Sequence, residues 1–302
     1  RLSVKGKGGK LRMENREKYL SFVVPCYNSE SYMARCIESL LPGGEDVEII
    51  IIDDGSKDKT GEIADVYQKK YPDLVRVIHK ENGGHGSGVN AGLACARGVY
   101  FKVVDSDDWL DKEAYRKLLE KIRYYCKEPA ACEEKPDMFV CNYVYNHLDQ
   151  QITRSMGYGN VFPEGKICHW SEIGHFLPSQ YLVMHALVYR TEILRQSGIV
   201  LPEHTFYVDN LFAYCPLPYV RNIFYMDIDL YQYYLGRDDQ SVNEEVLKRR
   251  IDQQMKVTRM VIAGADLTKI KEKEPKLASY MCRNISIMMA ISSIHLLLIG
   301  NE

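Results

Sequence analysis

The chain lacks any Cys-x-x-Cys pair, and its nine cysteines are odd in number and scattered. That argues against a disulfide framework or a zinc ribbon and fits reduced thiols in a cytosolic protein. It also lacks an excess of charge of either sign, with a net charge of -2. A nucleic-acid-binding protein would carry a basic face, so no nucleic acid is expected as a partner. No signal peptide is visible. Residues 1–18 read as a leader, disordered or not native, because residues 1–12 are Gly/Lys-rich without periodicity and Met13 suits a natural start. A long apolar run is missing too. The stretch Ile285–Ile299 falls short of the ~18–20 residues of a spanning helix, and Ser286, Ser292, Ser293 and His295 interrupt it. A core or partner-facing helix is expected there. The open alternative is a chain cut just before a membrane-associated segment, since Asn301-Glu302 is an abrupt ending. No internal repeat or low-complexity segment follows residue 12.

What is present suits an ordinary globular protein. The 302 residues are 46% hydrophobic and 26% charged, enough for one large domain or two modest ones. Apolar runs at Leu20–Val24, Val47–Ile52, Leu74–Ile78, Val99–Val104 and Asp137–Cys141 predict strands. Helical spacing appears between them, at Ser29–Leu41, Thr60–Lys70, Ser87–Ala96 and from the capping Asp111 to Tyr125. Alternation of this kind predicts an α/β fold with a mostly parallel sheet and helices on both faces. Past residue 150 the alternation fades into aromatic segments running to about Tyr234, many of them among the 22 tyrosines. Two helical stretches, about Asn243–Ile262 and Pro275–Ile299, then form a C-terminal helical extension.

The polar signals of the first half all follow predicted strands, where open α/β sheets bind ligands. They are Pro25-Cys26-Tyr27-Asn28, Asp53-Asp54-Gly55-Ser56, Glu81-Asn82-Gly83-Gly84-His85 and Asp105-Ser106-Asp107-Asp108. The second could be a turn and helix cap, or a carboxylate for a nucleobase or ribose. The glycines from Gly83 to Gly88 suggest either a flexible turn or a phosphate cradle before a helix, and Asn90 faces ligand or solvent. The last is the most informative. Clustered acids repel unless a cation or donors compensate them, and Mg²⁺ typically shares carboxylates with substrate phosphates.

In order and spacing these four motifs resemble family 2 glycosyltransferases of the GT-A fold, most strongly over Tyr19–Tyr125. The resemblance implies a nucleotide-diphosphate sugar donor, a UDP-sugar first among them, with Mg²⁺ or Mn²⁺ and inversion at the anomeric carbon. It gives Pro25, Tyr27 and Asn28 to the nucleoside pocket and Asp54, beside Asp53, to the base or ribose. Asn82, Gly84, His85, Asn90 and Ser106 join the donor site. Asp105 and Asp107 form the Asp-x-Asp pair, with Asp107 the direct metal ligand and Asp108 beside it. Val89 stands where many relatives carry Arg, so His85 or another group must supply that contact. Phe206-Tyr207-Val208-Asp209-Asn210 resembles the segment of the catalytic base, giving Asp209 that role, although Val208 replaces the usual Glu. The stretch Tyr233–Ser241 resembles a segment in which Arg237 and Ser241 close over the diphosphate.

On this reading residues 19–142 bind the donor, 143–242 hold the acceptor and the base, and 243–302 form the helical extension. The acceptor would be a saccharide or lipid-linked hydroxyl in cell-surface polysaccharide or glycoconjugate synthesis. The enzyme would be cytoplasmic, with peripheral contact at the inner membrane face and self-association compatible with it. His169, His175, His185 and Trp170 receive no role. Two other readings stay open. A sugar-phosphate nucleotidyltransferase would carry a Gly-rich basic loop where Pro25-Cys26-Tyr27-Asn28 stands. A non-catalytic carbohydrate- or partner-binding module would have no need of the acids.

Overall fold

The computed structural model describes residues 18–127, 134–147, 151–236, 246 and 249–300. Its first part alternates as the apolar runs predict. Strands β1 (Lys18–Cys26), β2 (Val47–Asp54), β3 (Val75–Lys80) and β4 (Gly98–Val103) alternate with helices α1 (Met33–Leu40), α2 (Thr60–Lys70) and α3 (His85–Cys95). A fourth helix, α4 (Lys112–Lys127), follows. Asp111 Oδ1 accepts from the Ala114 amide at 2.9 Å, so the expected cap is present. Helix α1 begins at Met33, later than its apolar spacing predicts, and the Ser29 amide before it donates to Thr60 Oγ1 at 2.7 Å.

All of β2 is buried. A strand covered on both faces has no solvent side to alternate toward, which accounts for the four consecutive isoleucines Ile49–Ile52. Neighbouring residues of β1 show the two covers, since successive side chains point to opposite faces. Phe22 meets the Tyr115 ring of α4 edge-on at 5.4 Å. Val23 lies under α3, so closely that a Cβ on Gly92 would fall 2.4 Å from it.

The sheet continues through β5 (Trp109–Leu110), β6 (Met138–His147), β9 (Leu187–Arg190) and β10 (Ile223–Leu235), in the order β3-β2-β1-β4-β9-β6-β10-β5. Hairpin-like additions β7 (Ile152–Met156) and β8 (Ile167–Cys168) pair with β6 and β10. Strands β1 to β4 pair in parallel, as do β6 and β10, whereas β9 is antiparallel to both β4 and β6. This is the mostly parallel GT-A arrangement. The crevice for a ligand lies beside β1, where the strand order turns back between β2 and β4.

The segment expected to be irregular thus supplies four strands. Its longest, β10, escapes the period-two pattern for a physical reason. Its pairing with β6 shifts register between Met226 and Asp229 and again before Tyr231. Each such irregularity breaks the alternation of buried and exposed positions.

Helices α5 (Thr191–Ser197), α6 (Asp209–Tyr214), α7 (Ile251–Ala263), α8 (Leu267–Lys273) and α9 (Pro275–Gly300) complete the chain. Helix α9 docks by its first half: Tyr280 stacks on Phe176 at 4.4 Å, and its hydroxyl accepts from the Leu182 amide at 2.9 Å. The helix begins at Pro275, as its periodicity predicts, and over that whole length it is long and apolar enough to cross a membrane by length and composition, where the apolar stretch Ile285–Ile299 alone is too short. Its far end leaves Ile294, Leu296 and Leu297 exposed.

Candidate active site

The loops after β1 and β2 are stitched together. Asn28, in the left-handed region at φ 50°, accepts at Oδ1 from the Lys57 amide at 2.8 Å and donates its own amide to Ser56 Oγ at 3.1 Å. Asparagine tolerates that backbone better than most residues. Tyr27 beside it is 49% exposed, leaving a ring face for a planar base. Pro25 is buried inside β1, against Gly88 of α3, and braces the pocket from below.

Asp53 and Asp54 spend their carboxylates on the protein. Asp53 Oδ1 accepts from the Ser56 amide at 3.1 Å, and its Oδ2 lies 2.9 Å from His79 Nδ1. Asp54 Oδ1 accepts from Lys80 Nζ at 2.6 Å and the Gly83 amide at 3.0 Å, and Oδ2 accepts from the Gly84 amide at 2.7 Å. Asn82 Nδ2 donates to the Asp54 carbonyl at 2.9 Å. These acids shape the third loop, where the sequence reading gave them to base and ribose. Ser106 likewise meets Ser29, Oγ to Oγ at 2.8 Å.

The acidic cluster divides into three roles. Asp108 is fully buried and accepts from the Tyr231 hydroxyl at 2.6 Å and the Tyr234 amide at 2.8 Å. Burial, then the charges of Asp107 and Asp105, push its carboxyl well above the usual range. Asp105 Oδ1 lies 2.8 Å from His85 Nε2. Burial works against the Asp105 charge, but the adjoining His85 outweighs it and the net shift is downward. Asp107 is half-buried, and its carbonyl accepts from Arg35 Nη2 at 2.8 Å. Carboxylate oxygens of Asp105 and Asp108 come within 4.8 Å of each other, close enough to share one divalent ion. A cation bound there would favour the charged form of Asp108 and so oppose the upward push of burial. Asp107, expected as the direct ligand, stands outside that convergence.

Asp209 opens α6, at the end of a fastened loop. Asn90 exchanges two bonds with the Leu201 backbone, at 2.8 and 3.0 Å, so it anchors this loop where ligand or solvent was expected. The Phe206 amide donates to Gln253 Oε1 at 2.8 Å. The His204 amide donates to the Gly83 carbonyl at 2.7 Å, which ties the loop leading to Asp209 directly to the third strand-end motif. His204 and Tyr207 sit at φ 46° and 66°, a strained backbone that the surrounding bonds hold in place. Burial raises the Asp209 carboxyl, partly offset by the charge of His85, and Asp105 adds to the rise. Asp209 thus lies within electrostatic reach of His85 and Asp105. Arg237 and Ser241 lie outside the described residues.

Two residues without a role in the sequence reading also lie near Asp105. Lys102, fully buried in β4, donates to the His185 carbonyl at 2.7 Å, and burial brings its pKa down to about 8. The His185 ring stacks on Tyr231 and Tyr233 at 4.6 and 4.8 Å. Burial lowers its pKa to about 4, with Asp105 opposing the fall, so the ring is neutral. A lone histidine before an apolar run gives no signal by which to find it.

A parallel α/β sheet with acids gathered beyond its strand ends defines the GT-A class of nucleotide-sugar transferase folds. S. aureus TarS 1-349, solved in complex with UDP, aligns with a TM-score of 0.62 at 23% identity, over 89% of this chain and 72% of that one. The mannosyltransferase PcManGT from Pyrobaculum calidifontis, solved with GDP-Man and Mn²⁺, aligns with a TM-score of 0.58 at 12% identity, over 95% and 79% of the two chains. At such identities the likeness speaks for the fold. Residues 21–146 match the profile of Glycosyl transferase family 2. A curated relative, the uncharacterized glycosyltransferase EpsJ of Bacillus subtilis (strain 168), is 29% identical over 187 residues, which is 61% of this chain and 51% of EpsJ. The chain thus spans about half the length of that relative.

Proposed function

We propose that the protein is an inverting glycosyltransferase, moving a sugar from a UDP-sugar or similar donor to a hydroxyl of a saccharide or lipid-linked acceptor. Its setting is cell-surface polysaccharide or glycoconjugate synthesis, in the cytoplasm or at the inner membrane face. The observation that carries this reading is the convergence of the Asp105 and Asp108 carboxylates beyond the strand ends, with His85 hydrogen-bonded to Asp105 and with Asp209 within electrostatic reach of both. TarS with UDP and PcManGT with GDP-Man and Mn²⁺ support a nucleotide-sugar donor and a divalent ion.

Asp105 and Asp108 would hold Mg²⁺ or Mn²⁺, which as a Lewis acid neutralises charge on the departing diphosphate. Asp209 takes the proton of the acceptor hydroxyl. The oxygen then bonds to the anomeric carbon from the face opposite the leaving group, and the bond from that carbon to the diphosphate oxygen breaks. General-base assistance of this kind contributes ~10²–10⁴-fold. His85, charged beside Asp105, adds positive potential near the diphosphate, and the exposed Tyr27 ring offers a stacking face to the base. Residues 19–142 would supply the donor site and 143–242 the acceptor side.

The test is transfer from a panel of nucleotide sugars, read as release of nucleoside diphosphate. Asp209→Asn should cut turnover by about 10²-fold or more while donor affinity holds. Normal turnover in that variant would remove the base from the mechanism.

A further inference from the structure

His185 sits at the ligand edge for a reason set by strand register. In the antiparallel pairing of β4 with β9, Phe101 lies opposite Tyr189 and Tyr100 opposite Arg190. Carried on past the end of β4, the same register brings Asp105 opposite His185. The distances agree: His185 Nδ1 lies 4.0 Å from Asp105 Oδ2. The ring cannot swing away, because Tyr231 and Tyr233 stack against it and Lys102 holds its carbonyl.

For all this fixation, Nδ1 is buried without a hydrogen-bond partner among the described residues. Leaving such an atom unsatisfied costs ~1–3 kcal/mol, and an orphan of this kind calls for an explanation. His85, the other imidazole here, has already committed its Nε2 to Asp105. Ligand atoms of Asp105, Asp108 and His185 all lie within 4.8 Å of one another. Two carboxylates and one imidazole form a mixed oxygen–nitrogen donor set. Mg²⁺ favours oxygen ligands, whereas transition ions accept imidazole readily.

We propose that His185 Nδ1 is a direct metal ligand, completing with Asp105 and Asp108 a three-residue site that takes Mn²⁺ in preference to Mg²⁺. This deepens the metal-dependent transferase reading and rests on it. The tyrosine pair then serves as a clamp that keeps the imidazole plane fixed, so that the ion meets a ready-made third ligand.

Electron spin-echo spectroscopy of the full chain loaded with Mn²⁺ and UDP tests it, because a bound imidazole nitrogen modulates the Mn²⁺ echo. The expected result is nitrogen modulation in the wild type and in His85→Ala, and its loss in His185→Ala. In His185→Asp, an all-oxygen set, the ratio of Mn²⁺ to Mg²⁺ affinity should fall at least tenfold by calorimetry. Wild-type protein that binds Mn²⁺ without nitrogen modulation would overturn the proposal even if His185 variants fail to fold. Modulation lost in His85→Ala but kept in His185→Ala would also overturn it. Either result, joined to transfer that stops in EDTA, leaves the parent reading intact; transfer that continues in EDTA sinks both.

Discussion

His85 Nε2 and Asp105 Oδ1 are 2.8 Å apart, a single contact that joins the loop after β3 to the loop after β4. Burial works against the charge of each partner, but each favours the charged form of the other, so the His85 pKa is raised and that of Asp105 lowered. His85→Ala removes the group that orients Asp105. Donor affinity in the presence of Mn²⁺ should fall by roughly 10–100-fold, the usual effect of losing a partner behind a metal ligand. Calorimetry with UDP and Mn²⁺ measures this, and equal affinity would show that Asp105 is positioned without the ring.

Asp209 provides a pH signature. Burial moves its carboxyl upward, so protonation begins at a higher pH than for an exposed aspartate, which titrates near ~3.9. The base acts only when ionised, so activity is full above its pKa and declines as pH falls through it. We expect the acidic limb of kcat/KM to lie above the ordinary aspartate range. A limb at or below that range would assign proton removal to another group.

Gly84 cannot accept a side chain cheaply. Its φ is 83°, and an added Cβ would lie 3.1 Å from the His204 amide nitrogen. Gly84→Ala should cost about 1–3 kcal/mol, the range for a residue forced into such a backbone. It should also loosen the loop that leads to Asp209, lowering kcat with the melting temperature. A variant as stable as wild type would mean that the two loops part without penalty.

Glu48 is a control far from the chemistry. Buried in β2, it accepts from Ser21 Oγ at 2.6 Å, the Arg97 amide at 2.5 Å and Arg97 Nε at 2.9 Å. Burial opposes its charge, but these donors prevail and its pKa is lowered. A depressed carboxyl stabilises above its unfolded value, and that stability is lost as pH falls through the folded one. Glu48→Ala should cost about 3–5 kcal/mol, with a flatter stability curve in acid and unchanged donor affinity per folded molecule. Denaturant titrations across the acid range up to neutrality read both.

The first half of the fold is legible because β1, β2 and β4 are buried on both faces, so Val47–Ile52 announces itself by its isoleucines. The helix Thr60–Lys70 begins and ends where its spacing predicts. The second half hides its strands for equally physical reasons. Strand β10 is rich in tyrosine and interrupted in register, and β9 is only Leu187–Arg190. The acids of the site show themselves in the sequence by clustering after strands. What they do is less visible: the bonds that occupy Asp53, Asp54 and Asn90 come from residues up to 111 positions away. His185 could not be singled out from spacing, because its neighbour Asp105 is fixed by an antiparallel register.

That reversal of β9 has a consequence for how the chain can vary. In a parallel strand the residue that leaves the strand reaches the ligand; here it is the residue that enters. His185 stands in the 3-10 turn Met184–Ala186 that leads straight into β9, so adding or deleting one residue between it and Tyr189 would draw the imidazole away from Asp105. Beyond Arg190 helix α5 follows at once and Thr191 Oγ1 donates to the Gly98 carbonyl, so β9 is measured out from both of its ends.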